Sequence, residues 1–284
     1  MKRIGKVIGY VLLAVLPGLL LTACTFIVSQ VVQVVLTFKY VGSGAAADQE
    51  AIVAYLTDYL QGDSLLKIVI AGQLIALAIA VLIIFKGMKA GAIFGKPLNA
   101  VKKLNGLAIL LTGIGLELTI SFVMLIISLA APGALDSYNE MIGNSGLAGF
   151  TVISTLATVV VAPMCEEVIF RGLTVKILEK TGLNFWIVNT LQAVLFGVYH
   201  LNLVQGLYAF VLGFVLGLIA KKCNTIWASI LAHAVFNFSG TYIIGFLGQY
   251  IEESVASVAL PLAAAVLVAV LGIYLLFTKV EEEN

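Results

Sequence analysis

Charge is what this 284-residue chain lacks most: Asp, Glu, Lys and Arg make up 11% of it, against roughly 25% in soluble domains. With 61% apolar residues and a mean hydropathy of +1.11, it reads as a polytopic membrane protein. A net charge of +1 leaves no global basic surface for nucleic acid, and neither a Gly-rich phosphate loop nor a dinucleotide-binding fingerprint occurs. Cysteine is scarce as well. Cys24, Cys165 and Cys223 are scattered, without metal-site spacing or the density of a disulfide framework. The zincin signature His-Glu-x-x-His is missing, and the chain holds two histidines, His200 and His233.

What is present in quantity is long apolar runs. A membrane span needs about 20 mainly apolar residues, and runs of this kind occupy 7–38, 65–85, 105–131, 148–175, 185–201, 204–220, 225–247 and 254–278. The expected fold is therefore all-α, a helical bundle of about eight transmembrane helices. The first run follows Lys2, Arg3 and Lys6 and passes Leu-Thr-Ala-Cys at 21–24, which resembles a lipoprotein signal. Its apolar stretch continues to Phe38, well beyond the 7 to 15 residues of a cleavable segment, so a helix bent near Pro17 is expected instead. Lys2, Arg3, Lys6, Lys86, Lys89, Lys96, Lys102, Lys103, Lys176, Lys180, Lys221, Lys222 and Lys279 fall on one side of this topology. By the positive-inside rule that side is cytoplasmic, which places both termini inside a multi-pass cell-membrane protein. The other side carries Asp48, Glu50, Asp58, Asp63, Asp136, Glu140, Glu252 and Glu253 in loops that do not resemble folded domains.

Three parts follow: helices and outer loops over 1–147, a core over 148–247, and a last helix with a short tail over 248–284. The charge-bearing chemistry is expected in the second half, since Glu166, Glu167 and Arg171 lie together in Pro-Met-Cys-Glu-Glu-Val-Ile-Phe-Arg-Gly. A charge at the bilayer centre costs roughly 2.5 to 3.5 kcal/mol even on lenient scales, so such residues face the bundle interior and find partners. Glu167 and Arg171 are four apart and share a helix face, whereas Glu166 projects about 100° away. Glu167 then serves as a neutralised structural anion and Glu166 is free to exchange protons. Pro163 lacks a backbone N–H and is placed to kink this helix and admit water. His233 and Asn237 share a face of a later helix. Gly213 and Gly217 read as close helix packing, and Cys165 as a small packing residue.

Glu166-Glu167-x-x-x-Arg171, Phe196-x-x-x-His200 and His233-x-x-x-Asn237, in this order on successive helices, resemble the CPBP family of intramembrane proteases. That family includes type II CAAX prenyl endopeptidases and the bacteriocin-processing and immunity proteins often called Abi. The resemblance covers about 148–245. It implies that Glu166 and His200 activate a water, that His233 and Asn237 hold the oxyanion, and that Glu167 and Arg171 support the first helix. It also implies a membrane-embedded or membrane-associated peptide or protein as substrate and no metal.

A zinc-dependent version held by Glu166, His200 and His233 stays open. So do a catalytically silent scaffold or immunity protein and a proton-coupled transporter, although no internal repeat of transporter type is evident between the two halves. One geometric difficulty is visible in advance. On a straight helix from Asn184, His200 lies about 24 Å from the cytoplasmic face, while His233 is only about 13 Å deep. The two meet only if the Asn184–Gln192 portion lies near the interface and the uncharged turn Leu201–Gly206 stays within the membrane.

Overall fold

The computed structural model describes residues 2–44, 48–87, 91–95, 103–147, 150–247 and 255–279. Lys89, Lys96, Lys102, Glu252, Glu253 and the starts assigned to the second and third parts, 148 and 248, lie outside them. Every regular element among the described residues is helical. Helix α1 (Lys2–Leu13) and α2 (Leu16–Gly42) form the first run, broken at Ala14–Val15, just upstream of Pro17. Proline cannot donate to the carbonyl four residues back, so the chain turns there as the sequence predicts. Then follow α3 (Gln49–Tyr59), α4 (Gly62–Gly87), the short α5 (Gly91–Phe94), α6 (Lys103–Ala130) and α7 (Asp136–Ser145). The second half holds α8 (Val152–Glu179), α9 (Phe185–Tyr199), α10 (Leu203–Cys223), α11 (Ile226–Leu247) and α12 (Val255–Lys279).

Seven of these stretches are long and apolar enough to cross a membrane, and α9 is a shorter apolar helix. The eight expected spans are thus all present as helices in a multi-pass bundle. The two loops expected on the outer side each contain a short helix, α3 and α7. The sequence shows α3 only as a small amphipathic piece, and Asp48 begins it by accepting a hydrogen bond from the Ala51 N–H at 2.8 Å.

Contacts define the two ends of the bundle. At one end Thr225 Oγ1 donates to the Phe94 carbonyl at 2.8 Å, Lys221 lies over the Phe185 ring and Lys222 over Phe277. Val11 and Ala14 pack on Leu178 and Val188 toward this same end. At the other end Thr151 Oγ1 donates to Asp63 at 2.7 Å. Basic Lys176, Lys180, Lys221 and Lys222 therefore separate from acidic Asp63 along the bundle axis, as the topology requires.

One apolar cluster spans the three expected parts, joining Leu21, Ile84 and Ile109 to Phe170, Phe196 and Phe236 and to Leu276. Helices cross closely where glycine leaves room. A Cβ on Gly72 of α4 would strike the backbone of Thr25 in α2, and one on Gly115 of α6 would strike Ala269 in α12. In hydrocarbon, where apolar burial drives nothing, such close backbone contact is what holds helices together.

Candidate active site

The site starts from irregularities in α8. Residues Leu156–Val161 and Val168–Thr174 are wound as π-helix on either side of Ala162–Glu167. π-Turns often mark functional sites, and here the first has an identifiable cause. The Ala162 N–H bonds back five residues to the Ala157 carbonyl. In that register the next carbonyl, Thr158, calls for the N–H of residue 163, which is proline. Asn237 Nδ2 of α11 donates to the Thr158 carbonyl instead, at 2.7 Å. Pro163 therefore does more than kink the helix: it creates the acceptor that orients Asn237.

The two adjacent glutamates have different surroundings. Glu167 is fully buried, and its Oε1 accepts from Arg171 Nη1 at 2.8 Å and from His233 Nδ1 at 3.0 Å. Arg171 Nη2 also donates to the Gly213 carbonyl of α10 at 3.0 Å, and the guanidinium carbon lies 4.5 Å from the Phe196 ring centroid. Glu166 makes no hydrogen bond among the described residues. His233 Nε2 approaches it at 3.8 Å, and it lines a cavity of about 1040 Å³.

His200 closes α9. The Phe196 carbonyl is one of the acceptors a helix end leaves without an intrahelical partner, and His200 Nδ1 lies 2.8 Å from it. A carbonyl only accepts, so Nδ1 carries the hydrogen and Nε2 of the neutral ring is left with its lone pair. The Phe-x-x-x-His spacing thus sets a tautomer. Phe196 also meets the edges of both histidines, with ring centroids 4.9 Å from His200 and 5.9 Å from His233. His233 uses Nδ1 toward the Glu167 carboxylate, so its Nε2 bears a hydrogen only in the imidazolium form.

Glu166, His200, His233 and Asn237 all line the one cavity, while Glu167 and Arg171 lie behind its wall. No hydrogen bond or ion pair joins Glu166 to His200 directly. Glu166, His200 and His233 do not converge as a ligand set: among the described residues no group of three His, Cys, Asp or Glu is placed to hold a metal ion.

His200 and His233 line the same cavity although His200 stands at the far end of a short α9. Its 15 residues rise about 22 Å, less than the roughly 30 Å of a bilayer core. The turn after it points Leu201 and Leu203 outward, 86% and 79% exposed on the protein surface. Asn189, on the portion expected near the interface, packs inside the bundle. It is buried, donating to the Phe214 carbonyl at 3.0 Å, beside Gln192, which donates to the Gly213 carbonyl at 2.9 Å. Gly213 and Gly217 do pack α10 closely, but against these polar side chains as well as against Ala193 and Phe196.

One residue contradicts the expectation that charge-bearing chemistry is confined to the second half. Glu117 of α6 is buried and lines the same cavity. A single acid in a 28-residue helix barely lowers its hydropathy, so the run reads as a span and the acid passes unnoticed. Its presence within a span was the signal available.

Residues 148–239 match the family described as type II CAAX prenyl endopeptidase Rce1-like. The chain is also similar to a Bacillus subtilis (strain 168) protein named "Putative membrane peptidase YdiL", 34% identical over 79 residues, which are 28% of this chain and 32% of that protein. The matched stretch thus spans about a third of that relative's length. No solved structure matches the chain.

Proposed function

We propose, from the match of residues 148–239 to that family and the likeness to a membrane peptidase, that the chain is an intramembrane endopeptidase. It hydrolyses a peptide bond of a membrane-associated protein or peptide. The observation that carries this reading is the convergence of Glu166, His200, His233 and Asn237 on one cavity in the bundle, backed by a neutralised Glu167–Arg171 pair.

Each side chain has a task that its partners permit. Glu166, free of hydrogen bonds, and His200, with Nε2 unprotonated, flank the water that attacks the carbonyl carbon. Together they take its proton and return it to the leaving amine. As the carbonyl oxygen becomes an oxyanion, His233 as imidazolium and the second N–H of the Asn237 amide donate to it. Donors fixed in advance in a water-poor site stabilise such charge by several kcal/mol. Glu167 and Arg171 act indirectly: Glu167 holds the His233 ring and Arg171 ties α8 to α10. The cavity runs from these side chains toward the Asp63 end of the bundle, where Leu65, Leu66, Leu135 and Leu147 line it.

The test compares new peptide termini in cells carrying the wild-type chain or Glu166→Gln at matched membrane levels. Termini found only with wild type are expected, and they identify the substrate. Identical profiles, with the variant still rescuing a deletion phenotype, would replace this reading with that of a silent scaffold. Catalysis through Glu166, His200 and the two oxyanion donors predicts turnover that survives chelation. Activity removed by chelator and restored by zinc would overturn the metal-free scheme.

A further inference from the structure

We infer that Glu117 forms a substrate subsite that takes a basic side chain, lysine or arginine, about three residues from the scissile bond. The inference rests on the proteolytic reading for what the substrate is, but on separate residues for how it is held. Glu117 is 8% exposed and accepts one hydrogen bond, from Ser121 Oγ at 2.9 Å. The contrast with Glu167 is instructive: that carboxylate is buried against an arginine, whereas no lysine or arginine lines the cavity among the described residues. A carboxylate desolvated without a cation is costly unless something else neutralises it. A proton neutralises such a group and so does a cation, and the cavity gives a cation access to it.

The backbone has been shaped around this acid. Gly240 leaves its place for the carboxylate: a Cβ there would sit 2.6 Å from Glu117 Oε1. Gly240 lies in a third π-turn, Ser239–Ile243 of α11, and both Gly240 and Thr241 line the cavity. A second, independent observation comes from α4. Gln73, 7% exposed, lines the cavity with its Oε1 lacking any hydrogen-bond partner. Its own carbonyl accepts from Cys165 Sγ, which puts Gln73 at the level of the adjacent Glu166. The wall therefore offers acceptors at two depths, the unpaired Gln73 Oε1 beside the reacting centre and the Glu117 carboxylate farther on.

The spacing follows from α11. Gly240 is seven residues beyond His233, about 10 Å along the axis toward the Asp63 end. An extended peptide advances about 3.3 Å per residue, so about three residues bridge the two levels. Gln73 Oε1 then receives a peptide N–H or side-chain donor near the scissile bond, and Glu117 pairs with the basic side chain.

The experiment uses the full-length protein in phosphatidylcholine vesicles and a set of apolar peptides bearing a single lysine at successive positions, each matched by a glutamine peptide. Wild type should cleave the lysine peptide of correct register about tenfold faster than its glutamine match, the effect of one charge-assisted pair. Glu117→Gln, which keeps an acceptor for Ser121, should lose that preference, and Glu117→Lys should shift it to a glutamate peptide. Equal rates for lysine and glutamine peptides with wild type, or a preference that survives Glu117→Gln, would overturn the subsite. Binding of the same peptides to Glu166→Gln protein reads the subsite without turnover: the lysine preference should persist there and vanish in the double variant with Glu117→Gln. A binding preference without any wild-type cleavage would refute the hydrolytic reading and leave the subsite standing. Equal affinities in that assay would refute the subsite.

Discussion

Arg171 touches three different elements through one planar group: Glu167 on its own helix, the Gly213 carbonyl on α10 and the Phe196 face on α9. Truncating it leaves Glu167 buried and uncompensated. Breaking a buried pair from one side costs about 3–5 kcal/mol, so Arg171→Ala should lower both folded membrane yield and thermal midpoint in detergent. Adding Glu167→Gln should recover part of that loss, because the orphaned charge is gone. Failure of the double variant to recover would mean that Arg171 acts through Gly213 and Phe196 alone. At this scale the sequence was informative where spacing meets helix geometry. The Glu167–Arg171 pair follows from i, i+4 positions, and the shared face of His233 and Asn237 from the same rule. Gln73 was out of reach and Glu117 was legible only as an acid within a span, because the place of either on the cavity wall depends on how α4 and α6 pack, which no local spacing encodes.

The helices of the core are defined by their departures from α geometry. If Asn237 is held by the carbonyl that Pro163 leaves open, restoring an N–H at 163 should release it. Asn237→Ala is expected to cost about 1–3 kcal/mol in the native background, the range for a stranded buried acceptor, and far less in a Pro163→Ala background. A thermal double-mutant cycle reads this directly, and equal costs in both backgrounds would break the link. A second prediction concerns α10. A Cβ on Gly217 would overlap Asn189 Oδ1, so Gly217→Ala should destabilise by about 1–3 kcal/mol through overpacking. Gly143→Ala in α7, where nothing lies within 4 Å, should be neutral or stabilising. Apolar runs locate all eight spans to within a few residues, since hydropathy is a sum over the segment. The π-turns were not legible, because they arise from the match between one missing N–H and a side chain on another helix.

For the molecule as a whole, the uneven helix lengths set where the chemistry stands. A cysteine placed at Asn202 should resist a membrane-impermeant thiol reagent, while one at Asp136, on the outer side by charge, should react fully. Equal labelling would return the α9–α10 turn to the water and undo the meeting of His200 with His233. The two ends of the bundle were legible because lysines and acids separate along the sequence. The shared cavity was not, since it is assembled from helices far apart in the chain. Helix α12 gives the last consequence. It contributes no residue to the cavity among those described, yet it abuts α6 at Gly115 and, through Gly272, at Thr112. It packs along the Glu117 helix and so fixes where that helix stands. Enlarging Gly272 would therefore displace the acid relative to His233 and re-index which residue of a substrate is read, from the lipid-facing side of the bundle and without altering a single group that the substrate meets.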